Sequence, residues 1–326
     1  MLLRKIISPT KKVIIAAVCF LLITSTLLST SAMAANKEPD YSLDYSFYED
    51  VQKPAKMATT KNEARRLVRW MYYNHQTTFT AELKTYKSNG KTVKIEELYG
   101  KAYRKGDAAA LKELATKFIN TVNSSFLFAR RELYEYTSYC DKTSFAFHYD
   151  TKTNKLYCTY KIKYKSEYKS LNGLTVFEQQ DASFAECEKI ALSLYKTGTI
   201  TKESSAQEKT KAVYDYICKN FKYDEKYKNQ TPYLMLKNKS GTCGAFAGVF
   251  AYTCKLLGVR VVTEYGYPKI GDTSQPHCWN KLKYNNKYVF FDVTWGTSAY
   301  NSKHKENAYN YFWQSQEVFY KTYRTV

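Results

Sequence analysis

Histidine is scarce in this chain: four in 326 residues, at positions 75, 148, 277 and 304. A reaction that needs an imidazole base therefore has few places to occur. No glycine-rich phosphate loop is present and no serine sits in a nucleophile-elbow motif, which removes common nucleotide-binding and serine-hydrolase patterns. Beyond residue 34 no run approaches the ~20 apolar residues of a membrane-spanning helix. Acidic residues are also few, 30 against 50 Lys and Arg, for a formal net charge of +20. Such a surface suits anionic polymers or lipid head groups, or serves solubility alone. The lysines are scattered and no nucleic-acid-binding motif accompanies them, so no nucleic-acid partner is expected.

The N-terminus reads as an export signal. Arg4, Lys5, Lys11 and Lys12 precede an apolar stretch from Val13 to Leu28, and Ala32-Met33-Ala34 is a small-residue cleavage site. Thr24, Ser25 and Thr26 interrupt the stretch, which favours a cleaved signal over a retained anchor. A secreted or cell-surface protein with no transmembrane anchor after cleavage is expected. Loss of residues 1–34 lowers the formal charge to +16. The remaining chain, 44% apolar and 16% aromatic over the whole sequence, can bury two modest cores. Its 32 tyrosines show no repeat period and read as strand and interface filling. Cys19 leaves with the signal, and Cys140, Cys158, Cys187, Cys218, Cys243, Cys254 and Cys278 remain. An odd number in an exported chain leaves at least one thiol over; if that is Cys243, up to three disulfides could form, with connectivity open.

Periodicity divides the chain into a signal (1–34), an N-terminal α+β domain (35–172) and a second domain (173–326). The first carries a helix over 62–74, a strand over 77–83, and a long helix over 107–134 with a break near Asn123-Ser124-Ser125. Strands over 143–149 and 155–164 complete it. The pattern changes at Asn172-Gly173. Helices over 176–195 and 205–220 follow, then a polar, loop-like stretch over 225–240.

Three short boxes carry the chemistry: Ser240-Gly241-Thr242-Cys243-Gly244, His277-Cys278-Trp279-Asn280 and Phe291-Asp292-Val293-Thr294-Trp295. They hold a thiol nucleophile, a base and an orienter of that base. Phe246, Ala247, Phe250, Cys254 and Leu257 recur at helical spacing until Gly258, which places Cys243 at a helix N-terminus. There the helix dipole favours thiolate, and free backbone N–H groups can serve an oxyanion. Gly241 and Gly244 fit close approach of a substrate carbonyl. The runs 277–284 and 287–295 flank Asn285-Asn286, a tight-turn signal. Pairing Tyr284 with Lys287 sets His277 opposite Thr294 and Asp292 opposite Trp279, so His277 and Asp292 share one face. Cys278 then points away from that face, which argues against it as nucleophile. Taken singly, a helix-cap cysteine, a core histidine and a strand-end carboxylate are ordinary. His75, His148 and His304 have no such signature and read as structural or surface residues. The Cys/His/Cys/Asp spacing matches no common zinc pattern, and neither metal nor cofactor is expected.

With Ala212-Val213-Tyr214-Asp215-Tyr216-Ile217, Tyr223-Asp224 and Leu257-Gly258-Val259, these boxes resemble the transglutaminase-like superfamily over about residues 209–298, in an exported bacterial-type member. The resemblance implies an α+β fold with a papain-like core, its cysteine helix packed on an antiparallel sheet that carries the His and Asp, preceded by a smaller α+β domain. It implies Cys243 as nucleophile, His277 as general base and Asp292 as its orienter, acting on a protein or peptide amide through a thioester. Related domains cross-link or hydrolyse, and some have lost activity. No acidic calcium loop is seen, so no calcium requirement is expected. The rival expectation is a non-catalytic basic surface protein on the same scaffold, with an anionic cell-wall polymer as its partner.

Overall fold

The computed structural model describes residues 40–48, 52–88, 91–94, 107–153, 155–270 and 274–325. The expected export signal lies outside them. Thr60 caps α1 (Lys61–Tyr73) in a capping box with Glu63. After β1 (Thr78–Glu82) and the hairpin of β2 (Thr85–Ser88) and β3 (Lys91–Lys94) comes α2 (Ala108–Arg131). The break expected near residues 123–125 does not occur: Phe126 and Ala129 continue the buried stripe of Leu114, Phe118 and Val122, and that packing holds α2 continuous. The short α3 (Tyr134–Thr137) leads to β4 (Cys140–Asp150) and β5 (Lys155–Tyr164), which form an antiparallel sheet ordered β1-β5-β4. Phe118 and Phe126 meet Phe145, Phe147 and Tyr160 of that sheet, with ring centroids 4.5–5.6 Å apart.

Asn172 and Gly173 both take positive φ, 54° and 76°, and turn β6 (Ser170–Leu171) into β7 (Leu174–Thr175). Capping boxes then open α4 (Val176–Lys196) and α5 (Ala206–Asn220). The strand β8 (Lys222–Tyr223) precedes the stretch expected to be loop, which holds α6 (Pro232–Asn238), started by Thr231 at the N-cap and Pro232 in the first turn. Next come β9 (Ser240–Gly241) and α7 (Cys243–Leu256). Every residue of α7 from Gly244 to Leu256 is buried, so this helix is wrapped on all sides. The chain ends with β10 (Val262–Pro268), β11 (His277–Tyr284), β12 (Lys287–Phe291), α8 (Val293–Tyr300), β13 (Gln314–Ser315), α9 (Gln316–Thr322) and β14 (Tyr323–Thr325). The second sheet runs β13-β12-β11-β10-β14, antiparallel throughout.

Residues Leu43–Val326 form one compact unit. Contacts cross the change of pattern at residue 172. The Tyr233 N–H donates to the Tyr139 hydroxyl at 3.2 Å, and Gln180 Nε2 donates to the Tyr136 carbonyl at 3.3 Å. Lys255 of α7 pairs with Glu135 of α3 at 2.6 Å, both side chains under a tenth exposed. All seven cysteines among the described residues are free thiols, so none of the disulfides allowed by their number is formed.

Candidate active site

The turn at Asn285 and Asn286 uses positive φ at both residues, 48° and 59°, which matches the right-handed twist of the flanking strands. It sets Tyr284 opposite Lys287, and the ladder runs in that register to Asn280 opposite Phe291. There the expected strand stops. Asp292 accepts the Trp295 N–H at 3.0 Å through Oδ1 and becomes the N-cap of α8. Thr294 and Trp295 are therefore helical, and the anticipated pairs His277–Thr294 and Asp292–Trp279 do not form.

The turn-out still brings Asp292 to His277, with Nε2 and Oδ2 2.7 Å apart. Asp292 is fully buried, and its Oδ2 also accepts the Tyr323 hydroxyl of β14 at 2.7 Å. The Tyr323 ring stacks on the imidazole at 6.1 Å, and Trp295 lies 5.5 Å from it. Three donors thus hold one carboxylate, and two aromatic rings hold the imidazole plane. With Nε2 engaged by Asp292, Nδ1 is the nitrogen left for the thiol.

Cys243 is the first residue of α7 and half-buried. Its N-cap, Thr242, makes no side-chain capping hydrogen bond, unlike the caps of α1, α4 and α5. The first-turn N–H groups of α7 are therefore not taken by their own cap. The gaps expected beside the glycines are filled by protein: a Cβ on Gly241 would meet Met235 at 2.8 Å, and one on Gly244 would meet the Tyr134 ring and hydroxyl.

Cys278 lies beside Cys243, with the two Sγ atoms 3.8 Å apart and the Tyr134 hydroxyl 4.0 Å from Cys278 Sγ. Cys278 does face away from the side of β11 that carries His277. That opposite side is the one α7 covers, as the bond from Asn280 Nδ2 to the Ala247 carbonyl at 3.0 Å shows. Pointing away from the histidine therefore brings this thiol to the other sulfur. The Cys278 thiol donates to Cys243, and the neighbouring imidazolium adds its charge. Together they outweigh burial and hold the Cys243 thiol well below its ordinary 9.0. Cys278 moves the opposite way, pushed up by that same hydrogen bond and by burial. Burial works against a charged His277, yet the Asp292 charge and hydrogen bond, with Cys243, raise it from 6.5 to about 10. The arrangement favours a thiolate–imidazolium pair.

Cys243, Cys278 and His277 line a cavity of about 660 Å³ whose walls include Tyr134, Tyr223 and Trp295. The other histidines are elsewhere: His75 stacks on Phe177 at 4.5 Å, His148 lies in β4 opposite Tyr157, and His304 is exposed. Among the described residues no three His, Cys, Asp or Glu side chains converge as metal ligands.

The thiol stands at a helix start, its imidazole on an antiparallel sheet and the carboxylate at the helix N-cap that follows that sheet's β12, and one family model covers this part of the chain, the transglutaminase-like superfamily core. Residues 193–293 match the core of that superfamily. The fold is accordingly mixed helix and sheet around a papain-like arrangement, and the match contains all three boxes apart from the last two residues of the third. The chain is similar to the kyphoscoliosis peptidase of Mus musculus, 28% identical over 139 residues, covering 38% of this chain and 21% of that protein. It is 31% identical to the Homo sapiens kyphoscoliosis peptidase over 104 residues, covering 28% of this chain and 16% of that one. The chain thus spans about a fifth or less of the length of these relatives. Among solved structures a TGase overlaps 52% of this chain and 48% of its own, at 16% identity and a TM-score of 0.33. Outside the transglutaminase-like core, Tyr323 and Tyr134 reach the site with no sequence signature of their own. Cys278 lies inside the core, and only the parity of β11 together with the side covered by α7 locates it.

Proposed function

We propose that this chain is an exported thiol acyl-transfer enzyme that acts on protein or peptide amides through Cys243, His277 and Asp292. The observation that carries this reading is the 2.7 Å His277–Asp292 pair, whose histidine lines the same cavity as Cys243 at the first turn of α7. The Cys243 thiolate attacks the amide carbon, and the oxygen gains charge beside the uncapped N–H groups of α7. Nδ1 of the His277 imidazolium gives its proton to the leaving amine, and a thioester on Cys243 remains. Asp292 holds the ring and supports its charge. A lysine amine then takes the acyl group, giving an isopeptide bond, or water takes it, giving a carboxylate; either nucleophile returns a proton through His277. Incubating the exported protein with a protein substrate and a small primary amine, followed by mass spectrometry, tests this. Amine incorporation or new termini are expected, and both should vanish in Cys243→Ala; a Cys243→Ala chain with undiminished turnover would refute the reading.

A further inference from the structure

Tyr134 opens α3 in the N-terminal half, outside the residues 193–293 that match the family model, yet it lines the Cys243 cavity. Its ring packs edge-on against Tyr265 with centroids 5.1 Å apart, and Tyr265 stands opposite Cys278 in the β10–β11 ladder, so Tyr265 and Cys278 share the face on which Tyr134 lies. The Tyr134 hydroxyl sits in a corner between Cys278 and the first turn of α7: it is 4.0 Å from Cys278 Sγ, and a Cβ on Gly244 would run into it. Cys278 Sγ is in turn 3.8 Å from Cys243 Sγ. Cys278 has one S–H and two neighbours in reach, the Tyr134 oxygen and the Cys243 sulfur. A proton given to Tyr134 is withheld from Cys243. A charged acceptor makes the stronger bond, so the thiolate wins the S–H. The Tyr134 O–H is then free to donate to the Cys278 sulfur.

We propose that Tyr134 is a positioning residue of the acyl-transfer site, its hydroxyl donating to Cys278 Sγ and so turning the single S–H of Cys278 onto the Cys243 sulfur. Hydrogen bonds that run in one direction polarise one another, so the Tyr134 bond strengthens the one that Cys278 gives to Cys243. Burial holds the Tyr134 phenol protonated, well above its ordinary 10.0, so the proton is there to donate. Tyr223 of β8 and His277 of β11 also bring titratable groups to Cys243, and Lys165 adds a cation to the cavity wall. Tyr134 differs from them in working through Cys278, and that dependence is what the experiment isolates. The N-terminal half of the chain is thereby part of the nucleophile's surroundings. The inference rests on Cys243 as the nucleophile of the reading above and adds a residue that positions its neighbour.

The test is the pH dependence of iodoacetamide alkylation at Cys243 in the full exported chain, with the label mapped by mass spectrometry. Tyr134→Phe keeps the ring on Tyr265 and removes the hydroxyl alone. The midpoint should rise by on the order of half a pH unit, and the same substitution placed on Cys278→Ala should add no rise. Tyr265→Phe removes the neighbouring phenol hydroxyl and should move the midpoint less than Tyr134→Phe does. Urea unfolding of each variant confirms that it is folded. An unmoved midpoint in Tyr134→Phe overturns the proposal, as does an equal rise on the Cys278→Ala background or in Tyr265→Phe. A fall in the midpoint overturns it too, because it means that the Tyr134 oxygen takes the Cys278 proton for itself. Alkylation needs no amide substrate, so a chain that shows the rise and turns over no amide refutes the acyl-transfer reading and leaves the role of the hydroxyl standing.

Discussion

Cys278 sets the character of the thiolate at Cys243. Its S–H is the leading reason the Cys243 thiol is held well below 9.0, ahead of the imidazolium. Cys278→Ala should therefore raise the Cys243 pKa, seen as an alkaline shift of the thiolate ultraviolet absorbance; an unmoved titration would remove Cys278 from the account. Asp292→Asn keeps the shape of the side chain and removes the charge that supports His277. Turnover should fall roughly 10²–10⁴-fold in steady-state kinetics, with the alkaline limb of the pH profile moving down from about 10. That His277 meets Asp292 and shares a cavity with Cys243 was legible, because each sits in its own box and histidine is rare. The part played by Cys278 was not, because alternation along β11 shows only that it opposes His277, and the sequence does not say which side α7 covers.

Between elements, the hairpin register followed from Asn285-Asn286, since two adjacent residues tolerant of positive φ fix a two-residue turn and hence every pair behind it. The end of β12 did not follow. Phe291, Val293 and Thr294 are all buried in sequence, so no alternation marks the switch from strand to helix; the signal is Asp292 itself, a good N-cap. The third donor to Asp292 arrives from β14, whose pairing with β10 places Tyr323 opposite Pro268. Gly266 permits that approach, for a Cβ there would collide with the Arg324 carbonyl and the Trp279 ring. Gly266→Ala should destabilise the protein by about 1–3 kcal/mol in urea unfolding and lower turnover by displacing β14. Tyr323→Phe should leave the strand in place and lower turnover alone, which separates the hydroxyl from the fold.

Across the whole molecule, α7 is the hinge between chemistry and architecture, since it carries Cys243 at one end and Lys255 at the other. Glu135 is the buried partner of Lys255 and comes from the N-terminal half, so Glu135→Gln leaves a buried cation without its counter-charge. A loss of about 3–5 kcal/mol is expected in urea unfolding, with one cooperative transition retained across residues 43–326. The site also governs stability against pH. His277, raised from 6.5 to about 10, contributes stability that is present below 6.5 and lost as pH climbs through about 10. Cys243, lowered from 9.0, contributes in the opposite sense, with stability present above 9.0 and lost as pH falls through its folded value. From about 6.5 to 9.0 the two slopes cancel, because the folded pair and the unfolded pair each bind one proton. Cys243→Ala removes the compensation, and its urea midpoint should fall as pH rises from 6.5 while the native midpoint responds less. The central claim is the thiolate–imidazolium pair itself, and the most direct measurement is the pH dependence of iodoacetamide alkylation with the label mapped by mass spectrometry. The account predicts Cys243 as the principal labelled residue, half-maximal well below pH 9.0, with the midpoint moving up in His277→Ala. A midpoint at 9.0, or preferential labelling of another cysteine, would contradict it.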